Sequence, residues 1–480
     1  MQTEYKTYQE FLASKRIEDV VCGFKVDPAT LNKNLFPFQR AIVAWALQRG
    51  RAGIFASTGL GKALMALEWA NQVYLETGKN VIIVTPLAVA EQTKREGEKF
   101  GIKSRVIKCT ADLYNTGNEE DEESSVEGDE PKTFTGINIC HYEVLKNIDC
   151  REFVGVALDE ASILKNYTGS VRSMIIDTFS RTPYRLSLSA TPAPNDYMEL
   201  GNQSQFLGIL SYHEMLSMFF IHDSGETQKW RLKGHAREEF WKWMCSWAVN
   251  IRKPSDLGFS DDGYNLPELF VHHEIIPTEL EKKDRLSLQD ASKLRRETID
   301  LKVERCRQIV ESDPENYWLI WCGLNDESKK LTNSNLGAVE LKGSETMAKK
   351  EEKLLAFTDG KIKKLVTKPE IAGFGLNWQH CNRQVFCGVD FSFEAEYQAI
   401  RRSWRFGQDK EVYVHIVLTD AEAAILENIK NKEDAFHEMF RNMALHMKEE
   451  SQKEIVKASK MEDGYAPNKN MVVPMFLEAA

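Results

Sequence analysis

Short apolar runs alternate with amphipathic stretches through the first 200 residues of the chain. Helices are predicted over 38–48 and 63–74, where apolar residues recur at helical spacing. Runs of apolar and β-branched residues bounded by turn residues predict strands at 52–56, 80–86, 137–140, 154–158 and 184–189. This alternation is typical of a parallel sheet with helices on both faces, which binds its ligands at the carboxyl ends of the strands.

Residues 201 to about 265 interrupt the alternation with aromatic-rich sequence at helical spacing. Their aromatic side chains either form the core of a helical insertion or offer a base-stacking surface, and helical spacing favours the core. Alternation then resumes, with strands predicted at 319–321, 339–341, 364–367, 384–387 and 412–418.

The pattern divides the chain into two lobes. We expect an N-terminal segment, a first lobe, a helical insertion with linker, a second lobe and a tail, at 1–34, 35–200, 201–310, 311–445 and 446–480. The expected fold class is α/β, with two doubly wound parallel-sheet lobes and a helical insertion. A length of 480 residues, 42% of them hydrophobic, agrees with two buried cores.

Charge is unevenly distributed along the chain. The formal net charge is -10, and residues 119–130 alone carry eight acidic side chains. This segment is typical of a solvated surface loop, and the alternative is a gate that competes with nucleic-acid phosphates. The rest of the chain is close to neutral, so charge does not exclude a nucleic-acid partner. No window has the apolar length of a membrane span, and we expect a soluble intracellular protein, in the cytoplasm or a viral host's cytoplasm.

A glycine-rich loop, Ser57-Thr58-Gly59-Leu60-Gly61-Lys62, separates a predicted strand from a predicted helix. Such a loop lets backbone N–H groups approach phosphates, and Lys62 adds a cation. Ala56 and Ala63 occupy the positions at which the general phosphate-loop pattern has Gly and Ser or Thr. The missing hydroxyl after Lys62 normally ligates Mg²⁺. Either water fills that position, or nucleotide turnover is severely weakened.

An acidic pair, Asp159-Glu160, ends the apolar strand predicted at 154–158. Carboxylates in this position can hold magnesium and a hydrolytic water, and the alternative is a simple strand-to-helix cap.

Arg402 and Arg405 are three residues apart, which places them on one face of a helix. Cations delivered from a second domain strongly stabilise phosphoryl transfer, and the alternative is a solvated basic helix face.

Three further segments follow in a characteristic order: the turn 189–192, the glycine-rich loop 372–377 and the segment 398–408. With the phosphate loop and the acidic pair, they make the chain resemble the Swi/Snf-like branch of the superfamily 2 helicases, relatives of the DEAD/DEAH-box proteins. The resemblance covers roughly residues 35–430, and the compact size is similar to bacterial or bacteriophage members. It implies two RecA-like lobes that bind ATP and Mg²⁺ between them.

The resemblance also implies roles for individual residues. It assigns Asp159 to magnesium through water, Glu160 to the attacking water, and Arg402 and Arg405 to arginine fingers. Ser162 stands where the family usually has His. ATP binding is implied for Gln39, Gly59, Leu60, Gly61 and Lys62, and contact with either the nucleotide or the partner lobe for Gln398. Coupling of ATP hydrolysis to the strand-binding face is implied for Ser189, Ala190 and Thr191.

Contacts with the DNA sugar-phosphate backbone are implied for Pro86, Leu87, Gly343, Thr367, Gly373 and Gly375. Such contacts sense phosphates and shape, so no sequence preference is expected. Trp378 either stacks on a base or packs beneath the loop, and packing is favoured.

We therefore expect an ATP-dependent DNA translocase, whose lobes close on ATP and step along one strand of duplex DNA. The alternative is an ATP-sensing, DNA-binding clamp with little turnover because of Ala63. RNA unwinding is disfavoured by the Arg405–Gln408 sequence and by the loop 372–377.

Overall fold

The computed structural model describes residues 22–114, 135–165, 169–193, 196–222, 230–280, 288–372, 377–388, 393–427, 429–431, 433–434, 438 and 441. Within them, no helix combines the length and apolarity needed to cross a bilayer.

The first lobe is built on a parallel sheet of seven strands in the order β3-β4-β2-β5-β6-β1-β9. The strands are β1 (Arg51–Ala56), β2 (Val81–Thr85), β3 (Ser104–Val106), β4 (Ile137–His141), β5 (Gly155–Asp159), β6 (Tyr184–Ser189) and β9 (Ala248–Ile251). Helices of this region are α1 (Pro37–Arg49), α2 (Lys62–Thr77), α3 (Ala90–Lys99), α4 (Ser170–Thr178), α5 (Leu200–Leu207), α6 (Tyr212–Phe219) and α7 (Arg237–Trp247).

Both faces of this sheet are buried. Along β2, Val84 belongs to one apolar cluster and Ile83 to another, because successive side chains of a strand point to opposite faces. Strands buried on both faces consist of nearly continuous apolar residues, and they can therefore be predicted from the sequence.

The second lobe contains a parallel sheet of six strands in the order β10-β15-β14-β11-β13-β12. They are β10 (Leu269–Ile276), β11 (Trp318–Cys322), β12 (Val339–Glu340), β13 (Lys364–Thr367), β14 (Arg383–Cys387) and β15 (Val412–Thr419). Its helices are α8 (Leu288–Glu297), α9 (Ile299–Ser312), α10 (Asn325–Thr332), α11 (Met347–Thr358), α12 (Pro369–Ala372) and α13 (Phe393–Ile400). The expected α/β class with two parallel-sheet lobes is confirmed.

The segment expected as a helical insertion and linker, 201–310, also contains strands. It supplies an edge strand to each sheet, β9 beside β1 and β10 beside β15, so both sheets extend beyond the elements expected from the sequence. It also holds an antiparallel hairpin of β7 (Phe220–His222) and β8 (Trp230–Leu232). Its aromatic rings pack on one another, with Phe240 and Trp247 almost fully buried, which confirms their interpretation as core.

One apolar cluster continues from the first lobe into the second. It contains Phe55 and Leu158 of the first sheet and Leu319 and Trp321 of the second. The lobes therefore pack against each other along a shared cleft.

Candidate nucleotide site between the lobes

The phosphate loop follows β1 at the carboxyl edge of the first sheet. Its Ser57 N–H donates to Ile251 O of β9 over 3.0 Å, and Gly61 adopts the left-handed backbone, with φ 79°, immediately before α2. Lys62 is the first residue of α2, and its Nζ donates to Ala56 O over 2.8 Å. Burial lowers the pKa of Lys62 to about 8, against the opposing effect of Glu160 and Asp159.

Gln39 connects the entrance of α1 to this loop. Its Nε2 donates to Leu60 O over 2.8 Å, while its Oε1 accepts from the Phe36 N–H over 2.9 Å. A Cβ on Gly61 would come within 2.2 Å of that Nε2. The side chain expected to bind ATP thus also holds the loop against the helix entrance.

The acidic pair ends β5, as the sequence indicated. The Tyr142 hydroxyl donates to Asp159 O over 2.8 Å. Burial, followed by the charge of the adjacent Glu160, raises the pKa of Asp159 to about 6. Glu160 itself has a positive φ of 57°, a conformation that costs a side-chain-bearing residue about 1–3 kcal/mol and is concentrated at functional sites.

Glu160 lies at the centre of a hydrogen-bond network. Its Oε1 accepts from Ser162 Oγ over 3.3 Å and from Ser189 Oγ over 3.2 Å, both within the first lobe. Gln398 of α13, in the second lobe, donates from Nε2 to the same oxygen over 3.2 Å. The predicted hydrolytic carboxylate is thus in direct contact with the opposite lobe.

The two candidate arginine fingers follow α13 and border the same cleft. Arg402 is 2% exposed and donates from Nε to Gln398 O over 2.9 Å. Burial lowers its pKa to about 9, with Arg405 as the next largest cause, and burial also lowers the pKa of Arg405. A Cβ built on Gly59 would lie 2.8 Å from Phe406 N, so the phosphate loop lies directly against the arginine segment.

The charges in this cleft come from both lobes. Lys62 interacts electrostatically with Asp159, Glu160, Arg402 and Arg405. Burial disfavours the protonated forms of these cations. A polyanion that enters the cleft would favour those forms again, because an opposite charge stabilises them.

A cavity of about 310 Å³ adjoins the phosphate loop. Its lining combines the loop with aromatic and basic side chains from both lobes, namely Ser57, Thr58, Gly59, Leu60, Arg252, Lys253, Tyr264, Leu266, Tyr397, Arg401, Trp404 and Phe406. Apolar walls with a few placed polar groups are usual for a small-molecule site. Sequence reasoning missed Arg252, Lys253 and Tyr264, because they precede the second sheet in a segment without a recognisable motif.

The Ser189-Ala190-Thr191 turn lies between Glu160 and the second lobe. Ser189 Oγ accepts from the Thr191 N–H over 3.0 Å, and Ala190 is buried. Thr191 Oγ1 donates to Glu394 Oε1 of α13 over 3.0 Å. Sequence reasoning missed Glu394, whose only signal is its place one helical turn before Gln398.

Four of the six residues expected to contact DNA lie in the described part of the chain. Pro86 and Leu87 follow β2 and are partly exposed, and Gly343 is exposed in a turn before α11. The Thr367 side chain is fully buried and donates to Leu341 O over 3.5 Å. Gly373 and Gly375 lie outside the described residues, as does the acidic segment 119–130.

Trp378 is fully buried. Its Nε1 donates to Thr358 Oγ1 over 2.9 Å, and its ring packs on Phe357 with centroids 5.1 Å apart. The interpretation of Trp378 as a packing residue is confirmed.

Comparison with known proteins agrees with the arrangement of two lobes. A model described as the SNF2-related domain matches residues 38–226, and a model described as the helicase conserved C-terminal domain matches residues 301–407. No curated protein matches the chain. Among solved structures, it is similar to the Sulfolobus solfataricus SWI2/SNF2 ATPase core in complex with dsDNA, at 19% identity and a TM-score of 0.40, covering 91% of this chain and 99% of that one. Two stretches of the chain, one in each lobe, are therefore similar to an SNF2-related domain and to a helicase conserved C-terminal domain, the combination typical of helicase-like ATPases.

Proposed function

We propose that the protein is an ATP-dependent DNA translocase, in which ATP hydrolysis between the lobes drives movement along duplex DNA without sequence preference. The observation that carries the proposal is the 3.2 Å hydrogen bond from Gln398 to Glu160. It brings the second lobe against the carboxylate proposed to act on water, so hydrolysis and the arrangement of the lobes are coupled at one contact.

The residues of the cleft fit a nucleoside triphosphate. Lys62 and the loop 57–61 supply a cation and backbone N–H groups for the β- and γ-phosphates. Thr58 Oγ1 and Gln398 Oε1 are buried without a hydrogen-bond partner within the described part of the chain, so both are available to a ligand. The 310 Å³ cavity beside the loop can receive the base and sugar, with Gln39 at the helix entrance.

Asp159 supplies the carboxylate suited to Mg²⁺, which in ATP-hydrolysing sites neutralises charge that develops on the phosphates. Ala63 provides no hydroxyl at the position after Lys62. Mg²⁺ commonly keeps several waters, and a water in this position is compatible with turnover.

Each catalytic side chain has a separate task in this proposal. Glu160, held by three donors on Oε1, orients and polarises the attacking water. Arg402 and Arg405 stabilise the negative charge that spreads over the transferred phosphoryl group. Their entry from the second lobe makes catalysis depend on lobe closure.

Ser189, Ala190 and Thr191 connect the nucleotide state to the rest of the molecule. Ser189 contacts Glu160 and Thr191 contacts α13, so a change at the γ-phosphate reaches both lobes through this turn. Phosphate and sugar contacts by Pro86, Leu87, Gly343, Gly373 and Gly375 would hold the DNA strand. Thr367 is not proposed to contact DNA, because its side chain is fully buried.

The test is an ATPase assay without nucleic acid and with single-stranded DNA, duplex DNA or RNA, joined to displacement of a triplex-forming strand from duplex DNA. We expect duplex DNA to stimulate hydrolysis most and ATP to drive displacement, with Glu160→Gln inactive in both. DNA binding that responds to ATP without hydrolysis would instead support the clamp, which the absence of a hydroxyl at Ala63 favours.

A further inference from the structure

A second contact crosses the cleft beside the Glu160–Gln398 hydrogen bond, and it centres on Glu394. Glu394 lies in the first turn of α13 and is 7% exposed. Its Oε2 pairs with Lys165 Nζ, and its Oε1 accepts from Thr191 Oγ1 over 3.0 Å. Both partners belong to the first lobe.

The same carboxylate also holds Gln398. Gln398 lies four residues after Glu394, on the same face of α13, and its Nε2 lies 3.5 Å from Glu394 Oε1 and 3.2 Å from Thr191 Oγ1. One amide group thus contacts Glu394, Thr191 and Glu160. Its orientation toward Glu160 depends on the two acceptors beside it.

A buried carboxylate is unfavourable unless it is paired and hydrogen-bonded. Glu394 has that compensation only while the lobes are together, since Lys165 and Thr191 both lie across the cleft. Separation of the lobes would expose the carboxylate to water and remove the contacts that hold Gln398 in place. The contacts of Glu394 therefore stabilise only the arrangement in which the two lobes are together.

We infer that Glu394 is a positioning residue, which senses the closed state through Lys165 and Thr191 and sets Gln398 against the hydrolytic Glu160. The inference rests on the proposed function and adds to it a device that permits hydrolysis when the lobes meet. Glu394 does not touch the reacting atoms, and it acts through Gln398.

The test is a double-mutant cycle of Lys165→Met and Glu394→Gln. Glu394→Gln retains an acceptor for Thr191 and loses the charge that pairs with Lys165. Glu396→Gln is the matched control on the same helix, since burial raises the pKa of Glu396 to about 7 and a neutral amide resembles its protonated form. Melting temperatures identify any variant that fails to fold.

We expect each single variant to lower kcat about tenfold or more while ATP affinity, measured with a fluorescent ATP analogue, changes less than about threefold. The double variant should be no worse than the worse single variant, because both remove the same contact. Multiplying effects, or a Glu394→Gln variant equal to the wild type, would overturn the inference while leaving the translocase proposal intact.

Hydrogen–deuterium exchange without nucleotide provides a measurement independent of turnover. Lys165→Met, in the first lobe, should accelerate exchange in residues 393–400 of the second lobe, and Glu394→Gln should do so in residues 185–193. Glu396→Gln should leave 185–193 unchanged. A wild-type protein without ATPase activity would contradict the proposed function. The exchange data would still test the contact across the cleft, and unchanged exchange in both variants would overturn the inference about Glu394.

Discussion

Gln398 donates to Glu160 over 3.2 Å, although 238 residues separate them in the chain. The bond joins α13 of the second lobe to the end of β5 in the first. Because Glu160 Oε1 also accepts from Ser189, the carboxylate is fixed by both lobes at once. Its environment therefore changes whenever the lobes move.

Replacement of Glu160 by Gln should separate binding from hydrolysis. The amide oxygen can still accept from Ser162, Ser189 and Gln398, so the cleft geometry should persist, while the ability to polarise water is lost. We expect kcat to fall by about 10²–10⁴-fold, the range typical of a general base, with ATP affinity retained. Steady-state ATPase assays and equilibrium ATP binding check this, and unchanged turnover would remove Glu160 from its assigned role.

Replacement of Arg402 or Arg405 by Ala should act mainly on kcat. Stabilisation of phosphoryl transfer by an arginine from another lobe is a transition-state effect, and we expect a loss of about 10²-fold or more in each variant. Arg307→Ala is the control, because Arg307 pairs with Glu304 and Glu311 on the solvent-facing side of α9. A variant that binds ATP poorly but has a normal kcat at saturation would contradict the finger role.

The pH dependence of kcat/KM for ATP should be bell-shaped. Asp159 must be ionised, and its pKa of about 6 predicts that activity falls as the pH drops through that value. Lys62 must be protonated, and its pKa of about 8 predicts a second fall as the pH rises through 8. These limits belong to the free enzyme, which kcat/KM reports. In Lys62→Arg the alkaline limb should move to higher pH, because Arg stays protonated; an unmoved limb would assign it to another group.

Restoring a hydroxyl after Lys62 should lower the requirement for magnesium. Ala63→Thr adds a direct ligand worth about 1–2 kcal/mol, so the half-maximal Mg²⁺ concentration should fall several-fold, with both proteins converging at high Mg²⁺. Ala63→Val is the matched control, since it adds the bulk without the oxygen. Identical magnesium curves for all three proteins would show that the position is unimportant. The next candidate would then be the buried Thr58 hydroxyl, which has no hydrogen-bond partner among the residues that the structure describes.

DNA affinity should fall steeply with salt and change little with sequence. Contacts with phosphates release counterions, so the logarithm of the binding constant should decrease linearly with the logarithm of salt concentration. Fluorescence anisotropy on duplexes of unrelated sequence measures both effects. A salt-insensitive complex that prefers one sequence would exclude translocation through backbone contacts.

Much of the fold could be predicted because parallel strands buried on both faces appear as uninterrupted apolar runs. Strands β6 and β13 begin and end at the residues expected from the sequence. Strand β10 was missed since it is an edge strand, partly exposed, and His272, His273 and Glu274 interrupt its apolar pattern. Strand β9 directly follows the aromatic helix α7, so its apolar residues looked like a continuation of that helix.

The candidate site, like the fold, could be predicted from the sequence only in part. Local motifs predicted the phosphate loop and the acidic pair, because turn geometry and strand ends are encoded by neighbouring residues. The contact between Lys165 and Glu394 joins positions 229 residues apart, and no local pattern reports a partner at such a distance. A single sequence therefore leaves such contacts unpredicted wherever a site is assembled from two lobes.

The close approach of Gly59 to Phe406 gives the molecule a steric stop. Gly59 has a φ of 90°, and any Cβ there would lie 2.8 Å from Phe406 N, so only bare backbone lets the lobes come this near. A side chain at this position would act as a wedge that keeps the two lobes apart, while every charged group of the cleft remained present. A small molecule lodged between Gly59 and Phe406 would keep the lobes apart in the same way without resembling a nucleotide.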